Sequence, residues 1–194
     1  MKKQIMRSLA SATLALIVVL TGGRLMAAEY DIDPLHSFVE FRIQHLGFSW
    51  LYGRFNQIEG NFSFDDSAPE KSRFSVEIKT DSVDTKHAER DKHLRSKDFL
   101  DVSNYPKATF VTRSFKGGKD GGTLVGSLTL HGVTKDISIE VRKVGEGKDP
   151  WGGYRSGFHG TTSFKKSDFG ITFDIGPAGE LIEFELSVEG IKRK

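Results

Sequence analysis

The most restrictive feature of this chain is a period of two. In residues 36–45, Val39, Phe41 and Ile43 alternate with Glu40, Arg42 and Gln44. In residues 54–65, Ile58, Phe62 and Phe64 alternate with Gln57, Glu59, Asn61 and Ser63, and in residues 73–80, Phe74, Val76 and Ile78 alternate with Ser75, Glu77 and Lys79. Successive strand residues point to opposite faces, so each run predicts a strand with one greasy side and one wet side. The same pattern returns in residues 107–116, 123–131, 134–143, 155–165 and 180–190, the last with Ile182, Phe184, Leu186 and Val188 on one face. Eight strong strands result, with a shorter one predicted near residues 170–175.

The connectors suit antiparallel neighbours. Gly117 to Gly122 reads GGKDGG and predicts a flexible hairpin loop, His131-Gly132 marks a tight turn, and Gly176-Pro177-Ala178-Gly179 closes another. A single sheet with this many strands must curl or close, because open flat edges invite aggregation. One segment breaks the rhythm. Residues 85–95 (TKHAERDKHLR) are rich in helix formers, with Asp84 or Thr85 as the expected N-cap, and residues 96–102 predict a further helical turn before Tyr105-Pro106. This excursion over residues 85–102 is placed to cover one mouth of a barrel.

The first 28 residues have a different character. Lys2, Lys3 and Arg7 precede an apolar run from Leu14 to Leu20, and Ala27-Ala28 offers a cleavage point, which is the layout of a secretory signal. The apolar run is short of the ~20 residues a membrane-spanning helix needs. The expectation is a signal peptide over residues 1–28, a single domain over residues 29–194, and a periplasmic product without a stable membrane anchor. Four of the 28 basic residues leave with that segment, so 24 basic face 26 acidic residues in the remainder. Nucleic acid therefore gains no support as a partner. With no cysteine, disulfides, thiol chemistry and Cys-based metal sites are excluded. All 15 phenylalanines fall after residue 28, supplying apolar area with no polar handle to satisfy. A large dry interior and the aromatic core of a β-sandwich both fit that excess.

Catalytic constellations are hard to find. His36 and His45 are nine apart on one strand and face opposite sides. His87 and His93, six apart, fall about 240° around a helix instead of the i, i+4 spacing that shares a metal. Ser37 follows His36, but adjacent strand residues point apart, and no G-x-S-x-G elbow is present. The Gly-rich stretches lack the strand–loop–helix context of a phosphate loop. No catalytic residue, metal or cofactor is expected. Lys86, Arg90, Lys92, Arg95 and Lys97 stand against Glu89 and Asp91, either as a solvated helix face or as a basic rim for an anionic head group. A local pairing of Arg90 with Asp91 that fixes the helix to the sheet is a third option.

Read in order, these blocks resemble the YceI family of periplasmic, lipocalin-like polyisoprenoid-binding proteins. The resemblance rests on Tyr30 to Asp33 with His36-Ser37 and His45-Leu46-Gly47, and on Gly53-Arg54-Phe55 with Gly60. It continues through Thr85, Arg90-Asp91-x-His93-Leu94, Ser96-x-Asp98-Phe99, Pro106 and Thr109-Phe110. Gly126-x-Leu128-Thr129, Gly132 to Lys135 and Ser167-Asp168-Phe169-Gly170 complete it. Lys166 stands where the pattern leads one to expect arginine, which puts any guanidinium role there in doubt. The resemblance implies an all-β, extended eight-stranded antiparallel barrel whose pore holds an isoprenoid chain, with a homodimer compatible. Strands of about ten residues give a tunnel near 30 Å long.

The expected function is a carrier, store or sensor for a polyprenyl lipid or a quinone-like amphiphile. Val39, Phe41, Ile43, Ile58, Phe62, Phe64, Ile78, Phe110, Leu128, Phe164, Phe184 and Leu186 are the candidate pore lining. His36, Arg90, Asp91 and His93 are the candidate head-group contacts. Two alternatives stay open: an enzyme working through His36, Asp91 or His93, and a solid-cored β adaptor. Convergence of those side chains at the mouth would favour the first, and a packed interior the second.

Overall fold

A computed structural model describes residues 27–194; residues 1–26, which hold nearly all of the expected signal peptide, lie outside the described residues. Eleven strand segments form one antiparallel sheet: β1 (Ala28–Ile32), β2 (Phe38–His45), β3 (Ser49–Phe55), β4 (Ile58–Phe64), β5 (Arg73–Lys79), β6 (Val83–Asp84), β7 (Lys107–Gly118), β8 (Gly121–Leu130), β9 (Val133–Lys148), β10 (Tyr154–Lys165) and β11 (Leu181–Lys192). The segments amount to eight staves. β1 and β2 run end to end along the same edge of β11, with Tyr30 opposite Lys192 and Val39 opposite Leu186. β4 and β3 continue that arrangement as partners of β1 and β2, and β5 and β6 as partners of β4 and β3. From β7 to β11 each strand pairs with the next. The pairing of β1 and β2 with β11 closes the barrel.

Several expectations need correction. Residues 170–175 form no strand; they follow a 3-10 turn over Lys166–Phe169 as irregular chain that packs Ile171 inward. The one helix, α1, spans Ala88–Arg95, and its N-cap is His87, whose ring nitrogen accepts the Arg90 amide. Neither Asp84 nor Thr85 caps it, because both side chains are engaged elsewhere: Asp84 accepts from Lys86 N, and the Thr85 hydroxyl donates to Asp91 and accepts from Arg90 Nε. Residues 96–102 make turns, not a further helical turn. The GGKDGG stretch is tighter than a loop: β7 and β8 run on to Gly118 and Gly121 and leave only Lys119-Asp120 between them.

The two barrel ends are filled differently. At one end Tyr30, Phe62, Phe64, Phe74 and Phe158 pack as an aromatic plug, with ring centroids 4.8 Å apart for Tyr30–Phe62, 5.1 Å for Phe62–Phe74 and 5.5 Å for Phe62–Phe158. At the other, Val83, Phe99, Leu100, Ala108, Leu130, Phe169 and Ile171 form a second cluster beneath α1 and the 166–175 chain. One seam interrupts the wall. The β9–β10 ladder stops at Glu140–Thr161, although β10 runs on to Lys165. Below that point the hydroxyl of Thr162 reaches the Ser138 carbonyl at 2.7 Å.

The kink between β1 and β2 is pinned by charge. Asp33 is buried and accepts from Leu35 N at 3.0 Å, from Arg155 Nη1 at 2.7 Å and pairs with His36 Nδ1 at 2.8 Å. Arg155 also binds Glu189 and, through Nε at 2.9 Å, Asp149. Burial on its own would raise the Asp33 carboxyl, but the bonds from Arg155 and His36 outweigh it and hold it at about 2. A depressed carboxyl stabilises the fold fully above its unfolded value near 4 and stops doing so as pH falls through about 2. Arg155→Gln is therefore expected to lose about 2 kcal/mol at neutral pH. Its stability should also fall less steeply than wild type on acidification below about pH 4. Urea titrations across that range check both.

Candidate functional site

Eight strands enclose an interior that side chains can either fill or leave open for one slender ligand. Here it is open. Between the two packed ends lies a cavity of about 680 Å3, within the usual range for small-molecule sites. Its wall is built from the inward face of almost every stave, including Val39, Phe41 and Ile43 on β2, Val76 and Ile78 on β5, and Ile182, Phe184, Leu186 and Val188 on β11. The alternation explains the geometry: Phe41 sits opposite Phe184 and Ile43 opposite Ile182, so the apolar faces of β2 and β11 merge. Most of these residues are only half-buried although they point inward, because they meet open space and not a partner side chain. Gly53 makes room for one of them. A Cβ there would lie 2.3 Å from the Phe41 ring, so this position in β3 lets the ring lie flat against the wall.

All but two of the candidate lining residues face this cavity. Phe62 and Phe64 do not; they belong to the aromatic plug, Phe62 with no exposure at all. The reason is that β4 crosses from the cavity into the plug, so Ile58 lines the hollow while Phe62 and Phe64, farther along the same face, seal its end. Several wall residues escaped notice. Val76 alternates with the residues quoted for 73–80, and Ile139 and Val141 fall in the run over residues 134–143, so parity alone could have placed all three on the wall. Leu46 and Leu51 lie outside the alternating runs, and Phe173 and Ile175 lie in the stretch expected to be a strand, which is irregular chain instead.

The mouth lies where the exposed wall residues gather: His45 and Leu46 at the β2–β3 turn, Arg90, His93 and Leu94 on α1, and Phe173 and Asp174 on the chain after β10. α1 is locked in place by Thr85. The Thr85 amide and hydroxyl both donate to buried Asp91, while Arg90 Nε donates to Thr85 Oγ1 and Arg90 Nη2 to Thr85 O, each at 2.7 Å. Asp91 is thus a structural anchor turned away from the cavity, and Arg90 carries both a structural bond and a place on the rim. His93 pairs with Asp98 at 3.0 Å and stacks edge-on against Phe99 and Phe173, ring centroids 4.9 and 5.0 Å away. Below the mouth, Lys166 is buried against the wall, 3.2 Å from Glu180, with Nζ 3.4 Å from the Ile171 carbonyl. It ties the 166–180 chain down so that Phe169 packs into the apolar cluster beneath α1. A lysine suffices for that anchoring.

Of the four candidate head-group residues, Arg90 and His93 reach the mouth and His36 and Asp91 do not. His36 sits at the β1–β2 kink, engaged by Asp33, because the chain turns between the two strands and carries it away from the pore. The side chains of an enzyme reading, His36, Asp91 and His93, are each taken by a different neighbour and do not converge. Asp33, His36 and Glu189 bring ligand atoms within 4.8 Å of one another, a grouping that could hold a cation. Arg155 Nη1 already bonds both carboxylates there, so its guanidinium supplies the positive charge such a cluster requires.

The turn at the mouth is unusual. Phe48 N donates to His45 O at 2.9 Å, and both central residues have positive φ, Leu46 at 53° and Gly47 at 81°. That is the geometry of the primed hairpin turn, which favours Asn-Gly, and a leucine in this left-handed conformation costs about 1–2 kcal/mol.

A closed antiparallel barrel with a plugged end, an apolar hollow and a polar-rimmed mouth belongs to the lipocalin-like class. The chain is a member of the YceI family: residues 30–190 match the YceI-like domain. Among its relatives, UPF0312 protein PA0423 of Pseudomonas aeruginosa is 54% identical over 175 residues, covering 89% of this chain and 92% of that protein. UPF0312 protein YE1254 of Yersinia enterocolitica is 52% identical, covering 91% and 93%. The YCEI protein of Campylobacter jejuni superposes with a TM-score of 0.70 at 30% identity, over 78% of this chain and 91% of that one. A polyisoprenoid binding domain from Saccharophagus degradans shares the fold, with a TM-score of 0.64 at 16% identity over 87% of this chain and all of that one.

The hollow makes a prediction about stability. Phe62→Ala, in the plug, should cost about 3–5 kcal/mol, whereas Leu186→Ala, facing open space, should cost only about 1 kcal/mol. Equilibrium denaturation of the two variants decides; equal losses would mean that the middle of the barrel is packed in solution.

Proposed function

We infer that this protein is an exported, periplasmic binding protein that holds the chain of a polyprenyl lipid or a similar long amphiphile, such as a quinone, in the barrel. The observation that carries this is the continuous apolar wall of the cavity, with charged groups confined mainly to the mouth end. Each methylene buried in such a site contributes about 0.8 kcal/mol, so several isoprene units outweigh the cost of ordering the chain. The polyisoprenoid binding of the Saccharophagus degradans domain supports the ligand class. In this reading Arg90 and His93 meet the polar head, and Val39, Phe41, Ile43, Ile58, Ile78, Phe110, Leu128, Phe164, Phe184 and Leu186 hold the tail. Binding of this kind calls for no catalytic group, and the role is that of a carrier, store or sensor.

Export is supported by the basic, apolar and small-residue order of the first 28 residues. Cutting after Ala27 or Ala28 leaves the β1 ladder intact from Glu29, which pairs with Ser63. N-terminal sequencing of protein from the periplasmic fraction should therefore begin at Ala28 or Glu29.

Gentle purification from the native host, followed by lipid extraction and mass spectrometry, is expected to yield a long isoprenoid or related amphiphile near one per chain. Leu128→Trp should project an indole into the hollow and reduce the retained lipid at least about tenfold while the fold persists, since open space receives the extra volume. Repeated recovery of empty wild-type protein would refute the reading.

A further inference from the structure

The cavity accounts for where a lipid tail could sit, and leaves the outer surface around its mouth unexplained. Beyond Ile43, β2 has no β11 partner, so residues 44–50 project past the end of the ladder as a hairpin tip flanked by the Pro177–Gly179 turn, where a Cβ on Gly176 would lie 3.9 Å from the Leu46 side chain. That tip is the least expected place for large apolar side chains, yet it carries Leu46 at 59% exposure, Phe48 at 87% and Trp50 at 38%. Arg42 lies over the Trp50 ring, 4.4 Å from its centroid. Leu46 occupies a left-handed position that suits asparagine, so turn stability does not account for it. Its side chain lines the mouth, which makes the apolar tip continuous with the apolar cavity.

Charge adds a second, independent observation. On the segment that forms the facing lip, Lys86, Lys92 and Lys97 are exposed against Glu89, and Asp98 is already paired with His93. Asp174, on the third lip, accepts from the Gly176 amide at 2.8 Å. A tip of leucine, phenylalanine and tryptophan beside unpaired lysines is the composition of interfacial membrane anchors, where aromatic rings sit at head-group depth and lysines meet lipid phosphates.

We propose that the mouth end docks on the surface of an anionic phospholipid bilayer: Leu46, Phe48 and Trp50 enter the interface, and Lys86, Lys92 and Lys97 contact phosphate head groups. Docking would bring the opening against the bilayer, so that a lipid tail could pass between the two without crossing water. The docking stands on the tip and the lysines; only its use in lipid transfer rests on the binding function inferred above.

The test uses full-length protein processed in its host, carrying Trp151→Phe so that Trp50 is the only tryptophan. It is mixed with vesicles of phosphatidylcholine alone or with added phosphatidylglycerol. Co-sedimentation and a blue shift of Trp50 emission are expected with the anionic vesicles, and both should weaken with salt. Leu46→Asn with Phe48→Ser should lower vesicle binding at least about tenfold while the melting temperature holds or rises, because Asn-Gly suits the turn. Replacing Lys86, Lys92 and Lys97 by glutamine should remove the salt-sensitive part of binding. Wild-type protein that ignores both vesicle types, or a double variant that binds as well as wild type, would overturn the proposal. So would a concentration-dependent dimer that Phe48→Ser abolishes, in the absence of vesicle binding, since a second copy would then be what covers the tip. Lipid extraction on the same samples separates the two functions. Protein that docks but carries no lipid refutes the cavity reading alone, and protein that carries lipid but never docks refutes this proposal alone.

Discussion

Closure of the sheet governs everything else in this protein. β11 receives two successive partners, β1 and β2, along one edge, and without that double pairing the sheet would end in an exposed strand. Closing eight staves sets a width, and the width sets a choice between side chains that meet in the middle and side chains that stop short. This chain makes both choices in one barrel. Rings meet at one end, where Phe62, Phe74 and Phe158 interlock, and stop short in the middle, where Ile78, Leu128 and Leu186 face each other across space. The kink that lets two segments share the β11 edge leaves a corner at residues 33–37, and buried Asp33 with Arg155 holds it.

Much of this was legible because a strand's period of two is local. Inward residues on β2, β5, β7, β8, β10 and β11 could be assigned by parity alone, and they line the hollow. β3 was obscured because its outer face carries Trp50 and Tyr52 while its inner face carries Gly53, which inverts the expected contrast. β1 escaped because it is short and begins at Ala28, the last residue of the expected signal peptide, and β6 because two residues carry no periodicity. The alternation of Ile171, Phe173 and Ile175 was real but produced by irregular chain at the mouth end, where Ile171 and Ile175 join the cluster beneath α1 and Phe173 packs against His93 and Phe99. Parity also says nothing of depth along a strand, so Ile58 and Phe62 looked equivalent although one lines the cavity and the other plugs it.

The polar residues of the family pattern are employed as fasteners. Thr85, Arg90 and Asp91 lock α1, His36 and Asp33 hold the corner, and Lys166 with Glu180 fixes the chain after β10. Such side chains attract a catalytic interpretation when read in sequence, since they are histidines, acids and bases in fixed order. In the structure each of them is engaged by its own neighbour, and such partners are tertiary facts that spacing does not encode. Arg90 and His93 alone of the candidates combine a fastening role with a position on the rim.

The seam between β9 and β10 bears on how firmly the width of the barrel is fixed. Below Glu140 and Thr161 the two strands share no ladder, and a single hydroxyl, that of Thr162, spans the gap. Ladders hold the neighbouring pairs β10–β11 and β8–β9 along most of their length, so the girth there cannot change without breaking backbone hydrogen bonds. Along this line the wall is held by side chains instead of a ladder, and Ile137 and Phe164 both line the groove that runs beside it. A wall without a ladder along one line is where a barrel's girth can change at the smallest cost in backbone hydrogen bonds, much as a sleeve gives first along its split.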